Sequence, residues 1–164
     1  LAIEPEILLL DEPMTGLDAK LKRRLQKEMV ELFTDLDITA IHVTHDQEEA
    51  MMMCDQIAVL NHGSIEQVGT PAQLYESPTN QFVADFIGTS NLLSATATGN
   101  SLDFGYAQVP HTHAEKGDVT VIIRPEHIES GDGSLRAEIT NQFYLGEKVR
   151  TYGRLPDDSE IIFD

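Results

Sequence analysis

An aspartate and a glutamate stand side by side at the end of a short apolar run, in "ILLLDEP" at residues 7 to 13, and a third acid, Asp18, follows six residues after Glu12. A strand that ends this way delivers both carboxylates to the carboxyl edge of a parallel sheet, where α/β domains keep their ligands. Two neighbouring acids suit a division of labour. Asp11 can hold Mg²⁺, usually through water, because a hard cation prefers oxygen ligands. Glu12 can orient or deprotonate a water that attacks a phosphoryl group. A second apolar strand, "ITAIHVTH", ends in His45 on the same edge, where an imidazole can contact a γ-phosphate and the attacking water.

The elements that must position these residues follow from periodicity. Ile7-Leu8-Leu9-Leu10 is a continuous apolar run, the pattern of a strand buried on both faces. Leu21, Leu25, Met29 and Leu32 recur at helical spacing and predict a helix from Ala19 to about Thr34. "DQEEAMMMC" opens with an aspartate cap and acids in its first turn, and predicts a short helix. "QIAVL" and "IEQVG" are strands joined by the "NHGS" turn, in which Gly63 is free to take positive φ. Thr70-Pro71 opens the helix "PAQLYES", and "NQFVADFIG" is another helix ending at Gly88. Beyond residues 88 to 92 the period changes to short strand-like runs separated by turn residues, an all-β module of barrel or sandwich type. The expected division is 1–89 and 90–164.

Eleven basic against 28 acidic residues leave a formal charge of −17, and the acids are spread along all 164 residues. Such a field repels a polyanion, so nucleic acid is excluded as a partner. A lone cysteine, Cys54, rules out an intramolecular disulfide. No apolar run approaches the ~20 residues of a membrane-spanning helix. The chain opens on Leu1 and reaches a strand pattern by Ile7, as expected of a piece of a longer protein.

"ILLLDEP…GLDAKL…ITAIHVTHDQEEAMMMCDQIAVLNHGSIEQVGTPAQLYESPTNQFVADFIG" resembles the second half of an ABC-transporter ATP-binding subunit of the importer type. "LLLDEP" matches the Walker B strand, "TGLD" the D-loop and "VTHD" the switch-histidine loop. "VIIRPEHI" and "YLGEKVRTYGRL" resemble the accessory TOBE domain, an OB-like barrel. The fold class implied is α/β, the C-terminal part of a P-loop NTPase domain followed by an all-β OB-like barrel lacking its last strand. The resemblance implies ATP and Mg²⁺ as ligands. It assigns Mg²⁺ to Asp11 through water, the catalytic base to Glu12 and the γ-phosphate switch to His45. Asp18 would reach across a subunit interface toward the partner's nucleotide. The partners implied are a second ATPase subunit in a homodimer and membrane permease subunits, with a solute-binding protein engaged only indirectly. The implied location is the cytoplasmic face of the membrane, held there through the permease. Polyamine, sugar and ferric-iron importers are the nearest subgroups, polyamine first.

"TGLD" departs from the commoner "SALD" but keeps its aspartate. A larger departure is that no GxxxxGK[ST] loop, Q-loop or LSGGQ signature occurs in these residues. They are expected before Leu1, so the site here is half a site and the chain by itself is expected to bind Mg-ATP poorly. The competing expectation is a truncated, non-catalytic module with a regulatory or dimerising role. A P-loop ATPase outside transport, such as one of DNA repair, is disfavoured by "GTPAQLYESPTNQFVADFIG" and the appended barrel.

The remaining features read as structure. His42 and His45 are expected on opposite faces of their strand, not as a metal pair. His111 and His113 sit in a polar loop. Met51, Met52 and Met53 are expected in the core and Cys54 buried and inert. "KLKRR" at 20 to 24 is expected as a solvated helix face, and Glu48 and Glu49 are explained by the helix dipole.

Overall fold

The computed structural model describes residues 7–112 and 116–164, so His113 of the histidine pair lies outside the described residues. These fall into two compact units, the first ending at Thr79 and the second running Asn80–Asp164.

In the first unit, β1 (Ile7–Asp11) and β2 (Thr39–Val43) pair in parallel, with α1 (Ala19–Asp35) in the connection between them. The register sets Leu9 beside Ile41 and Asp11 beside Val43. Leu8, Leu10, Ala40 and His42 form the half-buried face. The other face departs from expectation: Leu9 is 72% exposed, with Ile7, Ile41 and Val43 also open. Among the described residues nothing packs against that side, so the apolar run is covered on one face only.

Asp18 caps α1 by accepting from the Leu21 amide at 3.0 Å. The helix closes in a Schellman turn in which Asp37 takes φ +52° and the Ile38 amide returns to the Phe33 carbonyl at 3.1 Å. Its inward stripe runs through Leu25, Gln26, Met29 and Phe33, while Leu32 faces out.

Helix α2 (Gln47–Met53) is capped by Asp46, which accepts from the Glu49 amide at 3.0 Å. Its methionines are not the core that was expected. Met52 is exposed and Met51 and Met53 half-buried, because a seven-residue helix turns one of three successive side chains outward. Cys54 is half-buried, and burial pushes its thiol pKa up.

Antiparallel β3 (Ile57–Asn61) and β4 (Ser64–Gly69) follow. Their turn has positive φ at both His62 and Gly63, the type I′ geometry that matches strand twist. Helix α3 (Pro71–Glu76) starts with a reciprocal capping box between Thr70 and Gln73. Its Leu74 is fully buried.

The second unit begins with α4 (Gln81–Phe86), capped by Asn80. Two antiparallel sheets follow. One has strand order β7-β6-β5-β8, formed by β5 (Asn91–Thr98), β6 (Ser101–Asp103), β7 (Gln108–Pro110) and β8 (Lys116–Ile123). The other is β11-β10-β9, from β9 (Glu138–Tyr144), β10 (Val149–Arg154) and β11 (Glu160–Phe163). Strand β5 alternates buried and open positions along its length, and Leu93 and Ala95 join Phe104, Leu155 and Ile161 in the core.

Three polar side chains bind this unit together. Buried Asn91 acts as an extra strand edge: its Oδ1 accepts from the Ile162 amide at 2.6 Å and its Nδ2 donates to the Ile162 and Ile123 carbonyls. Arg124, 4% exposed, donates through one guanidinium nitrogen to the carbonyls of Ala84, Ile87 and Thr89 at 3.2, 2.8 and 3.2 Å, and to Ser90 Oγ. That is why α4 packs with the strands that follow it. Asp164 accepts from Arg150 at 2.8 and 2.9 Å and from Lys148 at 2.6 Å.

Arg150, with Lys148, holds the Asp164 carboxyl down at about 2. A folded value below the ordinary one contributes stability that is complete above about pH 4 and fades as pH falls toward about 2. Asp164→Asn is expected to cost about 2 kcal/mol at neutral pH and to flatten the acid limb of the unfolding profile. Unfolding followed by circular dichroism from neutral to acid pH checks this, and an acid limb identical to that of the unaltered chain would refute it.

Candidate functional site

Asp11 is the last residue of β1, and the chain leaves the strand through an unusual conformation. Glu12 takes φ +45°, a left-handed geometry uncommon for a residue with a side chain, while its amide still bonds the Val43 carbonyl at 2.9 Å. The ladder therefore extends one residue past β1 and then turns sharply. Because Asp11 is paired with Val43, the segment after β2 emerges beside Glu12. His45 Nδ1 lies 3.0 Å from Glu12 Oε1. Thr15 Oγ1 donates to the other oxygen, Oε2, at 3.1 Å.

The contact assigns the histidine tautomer. An ionised carboxylate only accepts, so Nδ1 carries the proton and Nε2 faces away from Glu12. The hydrogen bond from His45 first, then that from Thr15, holds the Glu12 carboxyl below its usual range. Glu12 is thus an anion at neutral pH with both oxygens oriented. The His45 side chain is 75% exposed, so its ring is reachable by a ligand.

Asp11 is exposed, and no group of three or more His, Cys, Asp or Glu among the described residues could enclose a metal ion. One open carboxylate fits a small hard cation that keeps its waters and takes further oxygens from a phosphate. Asp11 offers such a cation one oxygen donor. Asp18, seven residues along the chain from Asp11, is exposed and bound to the start of α1 through its cap. It stands apart from the Glu12–His45 pair, joined to Thr15 by a turn in which Gly16 takes φ +81°.

A cleft of about 320 Å³ opens between this turn, α1 and residues 44–49. Lys22, Asp46 and Glu49 are on its walls, and here the residue pattern misled. Lys22 is not on a solvated face. It reaches from α1 to Asp46 at 2.5 Å and to Glu49 at 2.8 Å. Glu49 is only 2% exposed, and its second oxygen meets the ring of His42. Helix-dipole chemistry accounts for an acid in the first turn of α2 but not for its burial. The spacing Asp46-x-x-Glu49 was the available signal, since it is the pattern in which a first-turn acid finds a specific partner. Here that partner comes from another helix.

Residues 121–163 match the TOBE domain family. Over most of its length the chain is similar to proteins named spermidine/putrescine import ATP-binding protein. That of Thermobifida fusca is 41% identical over 175 aligned positions, covering 96% of this chain and 45% of the relative. That of Ruegeria pomeroyi is 41% identical, covering 99% of this chain and 47% of the relative. That of Acetivibrio thermocellus is 43% identical, covering 90% and 44%. The chain thus spans a little under half the length of these relatives.

Proposed function

We propose that this chain, similar over most of its length to spermidine/putrescine import ATP-binding proteins and matching the TOBE domain family over residues 121–163, is part of the ATP-binding subunit of an ABC importer and supplies the hydrolytic half of a nucleotide site. In a complete subunit, Asp11 holds Mg²⁺ through water, Glu12 orients the attacking water and takes its proton, and His45 contacts the γ-phosphate. Magnesium, when bound, offsets the charge that builds on the phosphate oxygens. Asp18 lies toward a second subunit and helps place that subunit's nucleotide. The observation that carries this reading is the Glu12–His45 pair at the carboxyl end of two parallel strands.

The geometry favours a division of roles. A carboxylate with a lowered pKa is a weak base, so with His45 hydrogen-bonded to it Glu12 chiefly orients water. A γ-phosphate that draws His45 toward itself frees Glu12 Oε1 and restores its basicity. His45 thereby links the presence of intact ATP to the readiness of the base.

By this reading residues 1–89 belong to the ATPase portion and 90–164 to the TOBE portion. The complete subunit works as a dimer against membrane permease subunits and drives solute import from the cytoplasmic face. The names of its relatives point to polyamines as the solute. No helix among the described residues is long and apolar enough to cross a membrane.

The 164 residues contain no GxxxxGK[ST] loop, whose backbone amides and lysine supply most phosphate contacts in such sites. Mg-ATP titrated calorimetrically into this chain should therefore give no saturable heat up to ~1 mM, equivalent to less than about 4 kcal/mol of binding. Micromolar affinity of the isolated chain would show that it holds a whole site and refute the half-site.

A further inference from the structure

We propose that Lys22 and Glu49 are positioning residues that fix the segment carrying His45 at the strand edge beside Glu12, from which the ring reaches a γ-phosphate. Neither touches Glu12, and the inference rests on the role given to His45 above.

The segment 44–46 carries His45 with no regular secondary structure of its own. Its two flanking residues are tied down instead. The Asp46 amide donates to Thr44 Oγ1 at 3.0 Å, closing a tight loop around His45. Asp46 then uses both carboxylate oxygens. Oδ1 caps α2 at the Glu49 amide, and Oδ2 takes the Lys22 ammonium. Glu49 also uses both, one on Lys22 and one on His42. The 44–46 segment is thus anchored to α1 by Lys22 and to β2 by Glu49 through His42. With both neighbours tied, the backbone of His45 is fixed beside Glu12, and from there its ring reaches Glu12 Oε1.

The charges agree with this arrangement. Lys22 is 18% exposed and sits between two carboxylates, Asp46 first and then Glu49, which raise its pKa. Lys22 in turn lowers that of Asp46. Lys22 and Asp46 therefore keep their charges through the neutral range, and the tie between them persists there. Lys22 lies one turn beyond Asp18, its amide bonding the Asp18 carbonyl at 2.9 Å, so the same lysine connects the turn that carries Asp18 to the loop that carries His45.

The test uses steady-state ATP turnover of the complete subunit with its partner chains. Lys22→Met and Glu49→Gln should each lower kcat about 10-fold or more while the KM for ATP moves less than about 2-fold, because the loss lies in orientation at the reacting centre. Lys22→Arg should restore most of the activity. The decisive comparison is a double-mutant cycle. In a His45→Ala background, Lys22→Met should cost less than about 2-fold further, since the residue it positions is gone.

Multiplicative losses in the double variant, or a lowered Tm with kcat unchanged, would make the Lys22–Glu49 network a structural tie only. If Lys22→Met does not fold by circular dichroism, Glu49→Gln, which keeps the side-chain size, takes its place in the cycle. If His45→Ala itself leaves turnover intact, the role of His45 is wrong and the positioning role falls with it. If His45→Ala lowers turnover and neither Lys22→Met nor Glu49→Gln does, only the positioning role is wrong.

Discussion

In the complete subunit, Glu12→Gln should reduce ATP turnover by at least ~100-fold while nucleotide binding persists. The substitution keeps the side-chain shape and removes the negative charge. It leaves an amide oxygen able to accept from His45 or Thr15, so the local fold is retained. What it loses is the acceptor for the proton of the attacking water. A general base contributes typically ~10²- to 10⁴-fold, and among the described residues Glu12 is the carboxylate hydrogen-bonded to His45. Because ATP still binds and is not cleaved, the subunit should accumulate as a nucleotide-bound dimer, visible by size-exclusion chromatography. Turnover within about 3-fold of the unaltered protein would remove Glu12 from the chemistry and favour the non-catalytic, regulatory role.

The second large effect concerns Arg124. Arg124→Met should destabilise the second unit by about 3 kcal/mol, because hydrogen bonds from a charged donor are worth roughly 1.5–3 kcal/mol and buried acceptors are left unmet. The carbonyls of Ile87 and Thr89 lose this donor, while Ala84 keeps the Ser90 hydroxyl at 2.7 Å. For a unit of this size the loss corresponds to a fall in Tm of more than about 10 °C. Methionine fills comparable volume, so the change reports the polar contacts more than a cavity. Since α4 is held at its carboxyl end by Arg124, hydrogen exchange should rise in residues 81–90 before it rises in the β5–β8 ladder. A Tm lowered by less than about 2 °C would mean that apolar packing alone secures α4.

What the residues revealed and what they concealed divides along the range of the interactions. The helix starts at Ala19, Gln47 and Pro71 were legible because Asp18, Asp46 and Thr70 act within a few residues of themselves. The hairpin at Gly63 was legible for the same reason. The juxtaposition of Glu12 and His45 could be inferred because parallel pairing of two apolar runs, each ending in a polar residue, leaves little choice of register. Lys22, Glu49 and His42 were read wrongly or passed over. Each has a complete local explanation, and only packing of α1 beside α2 shows that they meet. Arg124 and Asn91 were likewise hidden, because their partners lie 32 to 71 residues away. Burial was the least legible property. Ile7-Leu8-Leu9-Leu10 reads as covered on both sides, and among the described residues of this chain, which spans under half of its relatives' length, one side is covered.

The Glu12–His45 pair as the hydrolytic half of a nucleotide site is tested most directly by the position of the γ-phosphate. The measurement is a crystal structure of the complete subunit carrying Glu12→Gln, grown with Mg-ATP. A γ-phosphate oxygen is expected within ~3 Å of the His45 ring, with a water held by residue 12 in line for attack. A nucleotide whose γ-phosphate lies more than about 6 Å from both side chains, with ATP turnover intact in the unaltered protein, would contradict it.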